Sequence, residues 1–255
     1  MKAYVIPIQN ACNANCAICI TRYRKESEAD SFGEKMNILS LTKLQGISLD
    51  KIEITGGGEP LLHPQINDII EGCASFAPTQ LYTNGLSIDR LNQESFVNLR
   101  RLCISRFHYD DEINARLMGK YIPGEIIKKA SSLVEVKLSL VLRKGGIENA
   151  TELKEYLDWA SENGVNNVVV RQMFDFDYPN EIQTLKVKSE EVLSNLDDNF
   201  TLLKDDEQSS FLNYGKVYVE VEKRSNCYEK NNLVLRPNGT LYQGWGEDVY
   251  EQRNI

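Results

Sequence analysis

The sequence has no apolar run approaching the roughly 18–20 residues that span a bilayer, although 42% of its 255 residues are hydrophobic. A membrane-spanning helix is therefore not expected. The opening residues, Met1-Lys2 and then Ala3-Tyr4-Val5-Ile6-Pro7-Ile8, are interrupted too soon for the apolar core and small-residue cleavage site of a secretory leader. That points to the cytoplasm. Excess positive charge is also missing: 29 Lys and Arg face 37 Asp and Glu, giving a formal charge of −8. Such a balance works against polyphosphate binding, and so against a nucleic-acid partner. The one basic run, Arg22-Tyr23-Arg24-Lys25, could face an electron donor or an anionic substrate, but runs of this kind are ordinarily solvated surface. Internal repeats, low-complexity tracts and flexible linkers are absent.

What is present is alternation. Short β-branched apolar runs at Ala3–Ile8, Lys51–Thr55, Thr79–Thr83, Leu102–Phe107, Glu135–Leu142 and Asn167–Met173 are followed by turns and then by stretches with apolar positions three or four apart. Those stretches are Leu39–Ile47, Gln65–Phe76, Gln93–Leu99, Pro123–Leu133 and Thr151–Asn163, the last beginning as a capped helix begins. Strands and helices in this order predict an α/β chain of βα units. Parallel crossovers are right-handed, so the units curl into a partial (β/α)6 TIM-type barrel with the strand C-termini and their loops on one rim. Chemistry is expected on that rim. After Met173 the pattern weakens. Val217–Glu222, Leu233–Arg236 and Thr240–Tyr242, the last two joined by Pro237-Asn238-Gly239, read as a small antiparallel unit. The expected organisation is a barrel over residues 1–175 and a C-terminal β appendage over 176–255, packed on it as one compact unit.

Six cysteines would allow three disulfides, yet a reducing cytosol and a chain with ample core argue that clustered cysteines hold metal or do chemistry. Cys12, Cys16 and Cys19 fall as Cys-x3-Cys-x2-Cys on the loop after the first strand. Three thiolates on one loop can wrap round a 4Fe-4S cluster, each holding one iron while backbone amides donate to the sulfides. The fourth iron is then open to a ligand, as the metal of a catalytic site must be. The second strand runs into Gly56-Gly57-Gly58-Glu59-Pro60. Consecutive glycines let a ligand approach the backbone closely, and a fixed carboxylate beside them suits an ammonium group. The segment lacks the Lys-Ser/Thr ending of a phosphate loop and the spaced glycines of a dinucleotide fingerprint.

These two motifs, in this order and at these places in a βα repeat, resemble the radical S-adenosylmethionine (SAM) superfamily. The resemblance covers about residues 1 to 175. It implies one 4Fe-4S cluster on Cys12, Cys16 and Cys19, with SAM bound across the strand C-termini by Gly57, Gly58 and Glu59. Further implied contacts are Asn84, within Tyr82-Thr83-Asn84-Gly85, Ser105 near the end of the fourth strand, Arg143 for the methionine carboxylate, and Val170–Met173, with Arg171, where the family's backbone meets adenine. The implied activity is reductive cleavage of SAM to a 5′-deoxyadenosyl radical that abstracts hydrogen from a substrate, with an electron from a reductant such as flavodoxin or ferredoxin. Ile18 stands where the family commonly has an aromatic residue, leaving adenine to apolar packing. The C-terminal Cys227…Leu235-Arg236-Pro237-Asn238-Gly239 resembles the entry to the auxiliary-cluster extension of peptide-modifying relatives, but the further cysteines are missing. A single cluster and a peptide, amino-acid or small natural-product substrate follow.

Other readings stand beside this one. The short chain and Cys-x3-Cys-x2-Cys spacing also suit an activating enzyme for a glycyl-radical enzyme. A non-enzymatic zinc module would complete its ligand set with His63 or His108, although zinc knuckles ordinarily bring paired ligands and neither histidine has such a neighbour. Redox sensing by the triplet is a third possibility. Cys73 and Cys103 read as small buried core residues, and Cys227 stays open. Rim residues Arg106, His108 and Tyr109, and the C-terminal Tyr242, Trp245 and Asp248, are candidates for substrate contact or for structure.

Overall fold

Pro7 has no backbone N–H to carry a ladder forward, and the first strand of the computed structural model accordingly ends before it, β1 spanning Lys2–Val5. The structure describes residues 1–23, 33–223 and 231–245; Arg24, Lys25, Cys227 and Asp248 lie outside them. Five further strands follow the expected rhythm: β2 (Lys51–Ile54), β3 (Thr79–Thr83), β4 (Leu99–Ser105), β5 (Val136–Leu142) and β6 (Asn167–Gln172). Between and after them lie α1 (Ile66–Ala74), α2 (Gln93–Asn98), α3 (Asp111–Met118), α4 (Glu125–Ser131), α5 (Ala150–Glu162), α6 (Asn180–Gln183) and α7 (Ser189–Leu193). The helix expected over Leu39–Ile47 is a 3-10 turn, Ile38–Leu44. Helix α3, which the periodicity did not suggest, is fixed by its ends: Asp110 Oδ1 accepts from the Ile113 N–H at 2.8 Å, and Gly119 closes it in the left-handed region.

The C-terminal strands are β7 (Phe200–Asp205), β8 (Ser209–Tyr214), β9 (Val217–Glu222), β10 (Leu233–Leu235) and β11 (Leu241–Gln243). Among the described residues, the eleven strands form one sheet in the order β11-β10-β1-β2-β3-β4-β5-β6-β9-β8-β7. β10 lies parallel to β1, and β9 lies parallel to β6, so the run from β10 to β9 is parallel throughout. The antiparallel pairs are β10–β11, β7–β8 and β8–β9. The mostly parallel, partial TIM-type architecture is as expected. Its C-terminal strands do more than pack against a finished barrel: they extend the same sheet on both sides.

The period of two along each strand divides the sheet. Ile52, Ile54, Leu81, Leu102, Ile104, Leu138, Leu140, Val168 and Val170 join the helices in one apolar core. The alternate positions, among them Glu53, Tyr82, Ser105, Lys137, Arg171 and Glu222, point to the inner face.

Candidate functional site

The chain enters the cysteine loop through Asn10, whose φ of 53° lies in the left-handed region that Asn tolerates better than most residues. The Cys19 N–H donates to the Cys16 carbonyl at 3.2 Å, and the Arg22 N–H donates to that of Cys19 at 3.1 Å, which coils the loop. Polar groups turn toward the sulfurs. The Ala14 N–H donates to Cys12 Sγ at 3.4 Å, Asn84 Nδ2 lies 3.6 Å from the same sulfur, and Cys16 Sγ donates to the Met118 carbonyl at 3.7 Å. Burial, helped by Cys19 and Cys12 nearby, pushes the Cys16 thiol up to about 12, and burial raises Cys12 as well. Three mutually interacting thiols on one coiled loop, with N–H donors at hand, are a donor set that fits an iron-sulfur cluster. Among the described residues, no three His, Cys, Asp or Glu side chains stand together as one metal ion would require. His63 does not complete a zinc set: its Nε2 faces the Met36 carbonyl at 3.0 Å, and its Nδ1 accepts from the Gln65 N–H at 3.2 Å. His108 Nδ1 accepts from the Asp110 N–H at 3.0 Å.

The glycines after β2 have a different immediate reason from the one expected. A Cβ on Gly56 would lie 2.6 Å from Ile6 Cγ2, one on Gly57 would lie 2.8 Å from Gln9 Oε1, and one on Gly58 would lie 2.2 Å from the Ala11 carbonyl oxygen. What approaches these glycines is the segment leaving β1, first Ile6 and Gln9 and then Ala11 of the cysteine loop. The Glu59 N–H then donates to the Ala11 carbonyl at 2.8 Å and ties the two loops together. The Glu59 carboxylate, expected to meet an ammonium, is 2% exposed. Its Oε1 accepts from Thr83 Oγ1 at 2.6 Å and the Leu61 N–H at 3.1 Å, and its Oε2 accepts from the Asn84 N–H at 2.8 Å. Burial raises its pKa despite these three donors. In this structure three protein donors fix the Glu59 carboxylate between the end of β3 and the turn that follows β2.

Asn84 continues the same network. Its Nδ2 donates to Asn13 Oδ1 at 2.8 Å and its Oδ1 accepts from the Leu86 N–H at 2.9 Å, so it braces the cysteine loop from the end of β3. Ser105 ends β4 on the inner face, in register with Ser139 of β5. Arg143, just past β5, is 8% exposed. Its Nε donates to the Lys144 carbonyl at 3.2 Å, no described carboxylate pairs with it, and Cys16 is the neighbouring acid that acts on it. The Arg171 side chain is engaged on the inner face: its Nε donates to both Glu222 oxygens at 3.1 and 3.0 Å, and its Nη1 to Ser139 Oγ at 2.5 Å.

Several supporting residues escaped the sequence reading. The Met118 carbonyl accepts from the Asn15 N–H at 2.8 Å as well as from Cys16. Gly119 has a φ of +68°, and a Cβ there would lie 2.6 Å from that of Asn15. From the loop after β6, Tyr178 donates to the Ile18 carbonyl at 3.2 Å and meets Tyr23 edge to face at 5.3 Å. Ile18, Phe107, Met118, Met173 and Tyr178 form an apolar cluster beside the cysteines. Asp110 as a cap and Gly119 as a stop were legible signals for α3; nothing local announced that Tyr178 would reach back to Ile18.

A family profile described as the Radical SAM superfamily matches residues 6–174. Among curated proteins, the chain is 26% identical to a probable GTP 3′,8-cyclase of Methanopyrus kandleri, over 62% of this chain and 53% of the relative. It is 31% identical to the GTP 3′,8-cyclase of Microcystis aeruginosa, over 45% and 37%. The chain thus spans about half the length of the curated relatives it matches. Among solved structures it resembles native anSMEcpe with bound AdoMet, with a TM-score of 0.61 at 16% identity, over 95% of this chain and 74% of that one. It also resembles Streptococcus suis SuiB bound to its precursor peptide SuiA, with a TM-score of 0.51 at 21% identity, over 67% and 38%. At these identities the structural likeness carries the fold.

Proposed function

Since this chain belongs to the radical SAM superfamily and is an enzyme of that kind, we propose that it binds one 4Fe-4S cluster through Cys12, Cys16 and Cys19 and uses SAM to abstract hydrogen from a peptide, amino-acid or small natural-product substrate. The observation that carries this reading is the cysteine loop laid directly on Gly58 and Glu59, through Ala11, at the C-terminal ends of β1 and β2. When bound and reduced, the cluster supplies the electron that cleaves SAM to methionine and a 5′-deoxyadenosyl radical.

The chain's own part is to place and to shield, since the hard chemistry belongs to the cofactor. Arg143 is a buried guanidinium without a described acid partner. An unpaired buried cation is costly, and the carboxylate of the SAM methionine would relieve that cost. Ser105 offers a hydroxyl on the inner face two strands from Arg171. Ile18 and its apolar neighbours give adenine a dry surface. Glu59 and Asn84 act as positioning groups: they fix the end of β3 against the loop that carries Cys12. A one-electron donor of the flavodoxin or ferredoxin type completes the system, and the reducing cytoplasm suits three free thiols.

Anaerobic reconstitution with iron and sulfide, followed by addition of reductant and SAM, tests the reading. The wild-type chain is expected to bind about four irons, as a cluster of this type requires, and to release 5′-deoxyadenosine. Cys16→Ala is expected to do neither while keeping its far-ultraviolet circular dichroism. Full iron content in Cys16→Ala, or stoichiometric zinc and no nucleoside product in the wild type, would overturn it.

A further inference from the structure

The inner face of the sheet is charged where the interior of a closed α/β barrel is ordinarily filled with branched apolar side chains. Two ion pairs cross it to β9. Lys137 Nζ lies 2.8 Å from Glu220 Oε2, and Arg171 Nε lies 3.0 Å from Glu222 Oε2. In each pair the cation stands on β5 or β6 and the anion on β9, so a positive row runs beside a negative one. The side chains of the second pair are 23% and 31% exposed, which leaves them open to a ligand.

The Arg171–Glu222 pair also has unused capacity. Among the described residues, Nη2 of Arg171 makes no hydrogen bond, Nε and Nη1 being the nitrogens engaged. Among the described residues, the Glu222 oxygens accept from Arg171 Nε alone and keep further lone pairs, since an ionised carboxylate can accept about four bonds. A free donor on a cation and open acceptor sites on an anion therefore stand side by side. Ser139, which Arg171 holds, is in register with Ser105, so Arg171 stands two strands, about 10 Å by ordinary strand spacing, from β4, and Glu222 one strand further.

We propose that this face binds the substrate, and that the substrate presents an α-amino-acid zwitterion, its carboxylate to Arg171 and its ammonium to Glu222. A ligand with only a carboxylate would meet the repulsion of Glu222, and one with only an ammonium would meet that of Arg171. An apolar ligand would strip water from both charges without replacing it. The inference rests on the radical SAM reading only in taking the bound molecule to be the substrate; the recognition itself does not depend on it.

The twenty free amino acids serve as the probe panel, tested against the reconstituted full chain by saturation-transfer NMR. For every amino acid that binds, its N-acetyl and its carboxamide derivatives are compared. At least one amino acid is expected to bind, with at least a tenfold loss of affinity for both derivatives and a similar loss in Glu222→Gln. A double variant, Arg171→Glu with Glu222→Arg, keeps an ion pair in the sheet but reverses it, and is expected to abolish binding while circular dichroism shows it folded. No binding by any amino acid, equal binding by the derivatives, or wild-type affinity in the reversed pair would overturn the proposal. Should a variant fail to fold, the derivatives decide on the wild-type chain. Absent amino-acid binding with 5′-deoxyadenosine still formed would defeat this inference alone, whereas amino-acid binding without SAM cleavage would defeat the reading of the enzyme.

Discussion

A methyl group on Gly119 would need two things at once: a φ of +68° that L side chains rarely adopt, and room where Asn15 already stands 2.6 Å away. Neither demand can be met without moving the segment that carries Cys16, because the Met118 carbonyl accepts from both the Asn15 N–H and the Cys16 thiol. Gly119→Ala is therefore expected to lower iron retained after reconstitution by at least half, with circular dichroism unchanged because the sheet lies elsewhere. Wild-type iron content in that variant would show that the end of α3 does not set the cysteine loop. Glu59 makes a second case at this scale. Glu59→Ala leaves the Thr83 hydroxyl and the Leu61 and Asn84 amides without their acceptor. Stranding a buried polar group costs about 1–3 kcal/mol, so urea unfolding should show a loss on the order of 3 kcal/mol. Glu59→Gln, which retains a carbonyl acceptor, should lose less. A loss within error for Glu59→Ala would show that these three bonds contribute little to holding the fold.

Elements show which parts of the molecule could be foreseen. The strands β2, β3, β5 and β6 lie within a residue or two of their predicted ends because period and β-branching report burial on a sheet directly. Cysteine spacing and the glycine run were equally plain, since each is a local pattern. Helix α3 and its loop were less so: they are organised by Arg106, a fully buried guanidinium that looks in sequence like any rim arginine. Its Nε donates to the His108 carbonyl at 2.7 Å, Nη1 to that of Ile122 at 2.6 Å and Nη2 to that of Tyr109 at 3.1 Å, with Asp111 Oδ1 as its ion partner at 2.5 Å. Contacts between residues far apart in sequence leave no periodic trace. The β7–β8 turn, by contrast, is written in its own residues. Asp206 accepts from Lys204 Nζ at 2.7 Å and from the Ser209 and Gln208 N–H groups at 2.9 and 3.0 Å, which holds its carboxyl at about 2 against an ordinary 3.8. A folded-state value below the unfolded one gives stability that is present above pH 4 and lost as pH falls toward 2, because the unfolded chain takes up the proton first. Melting temperatures measured from pH 5 to pH 2 should thus fall more steeply for the wild type than for Asp206→Asn. Parallel curves would remove this turn from the acid response.

For the whole molecule, the question is whether residues 1–175 hold together without the strands that follow. β1 and β6 would be the edges of such a fragment, yet in the chain each has a parallel neighbour from the C-terminal third. Val219, Val221, Leu233, Val234 and Leu235 are 1% exposed or less. Each buried side chain of this size is worth roughly 1.5–3 kcal/mol, so these five supply on the order of 10 kcal/mol, comparable with the entire 5–15 kcal/mol margin of a typical domain. Cutting them away would also expose the open ladders of two strands, which invite pairing with other copies. The truncated chain 1–175 should therefore aggregate or elute as a broad, large species in size-exclusion chromatography, with a loss of cooperative melting. A monomeric fragment that melts cooperatively would mean that the first six strands close a sufficient core, and that the C-terminal strands are an addition to a domain already made. The expected outcome carries a consequence for the inner face. β9, which bears Glu220 and Glu222, would then be needed both to seal the sheet and to supply the anions opposite Lys137 and Arg171, so that folding and the polarity of the inner face are set by the same strand.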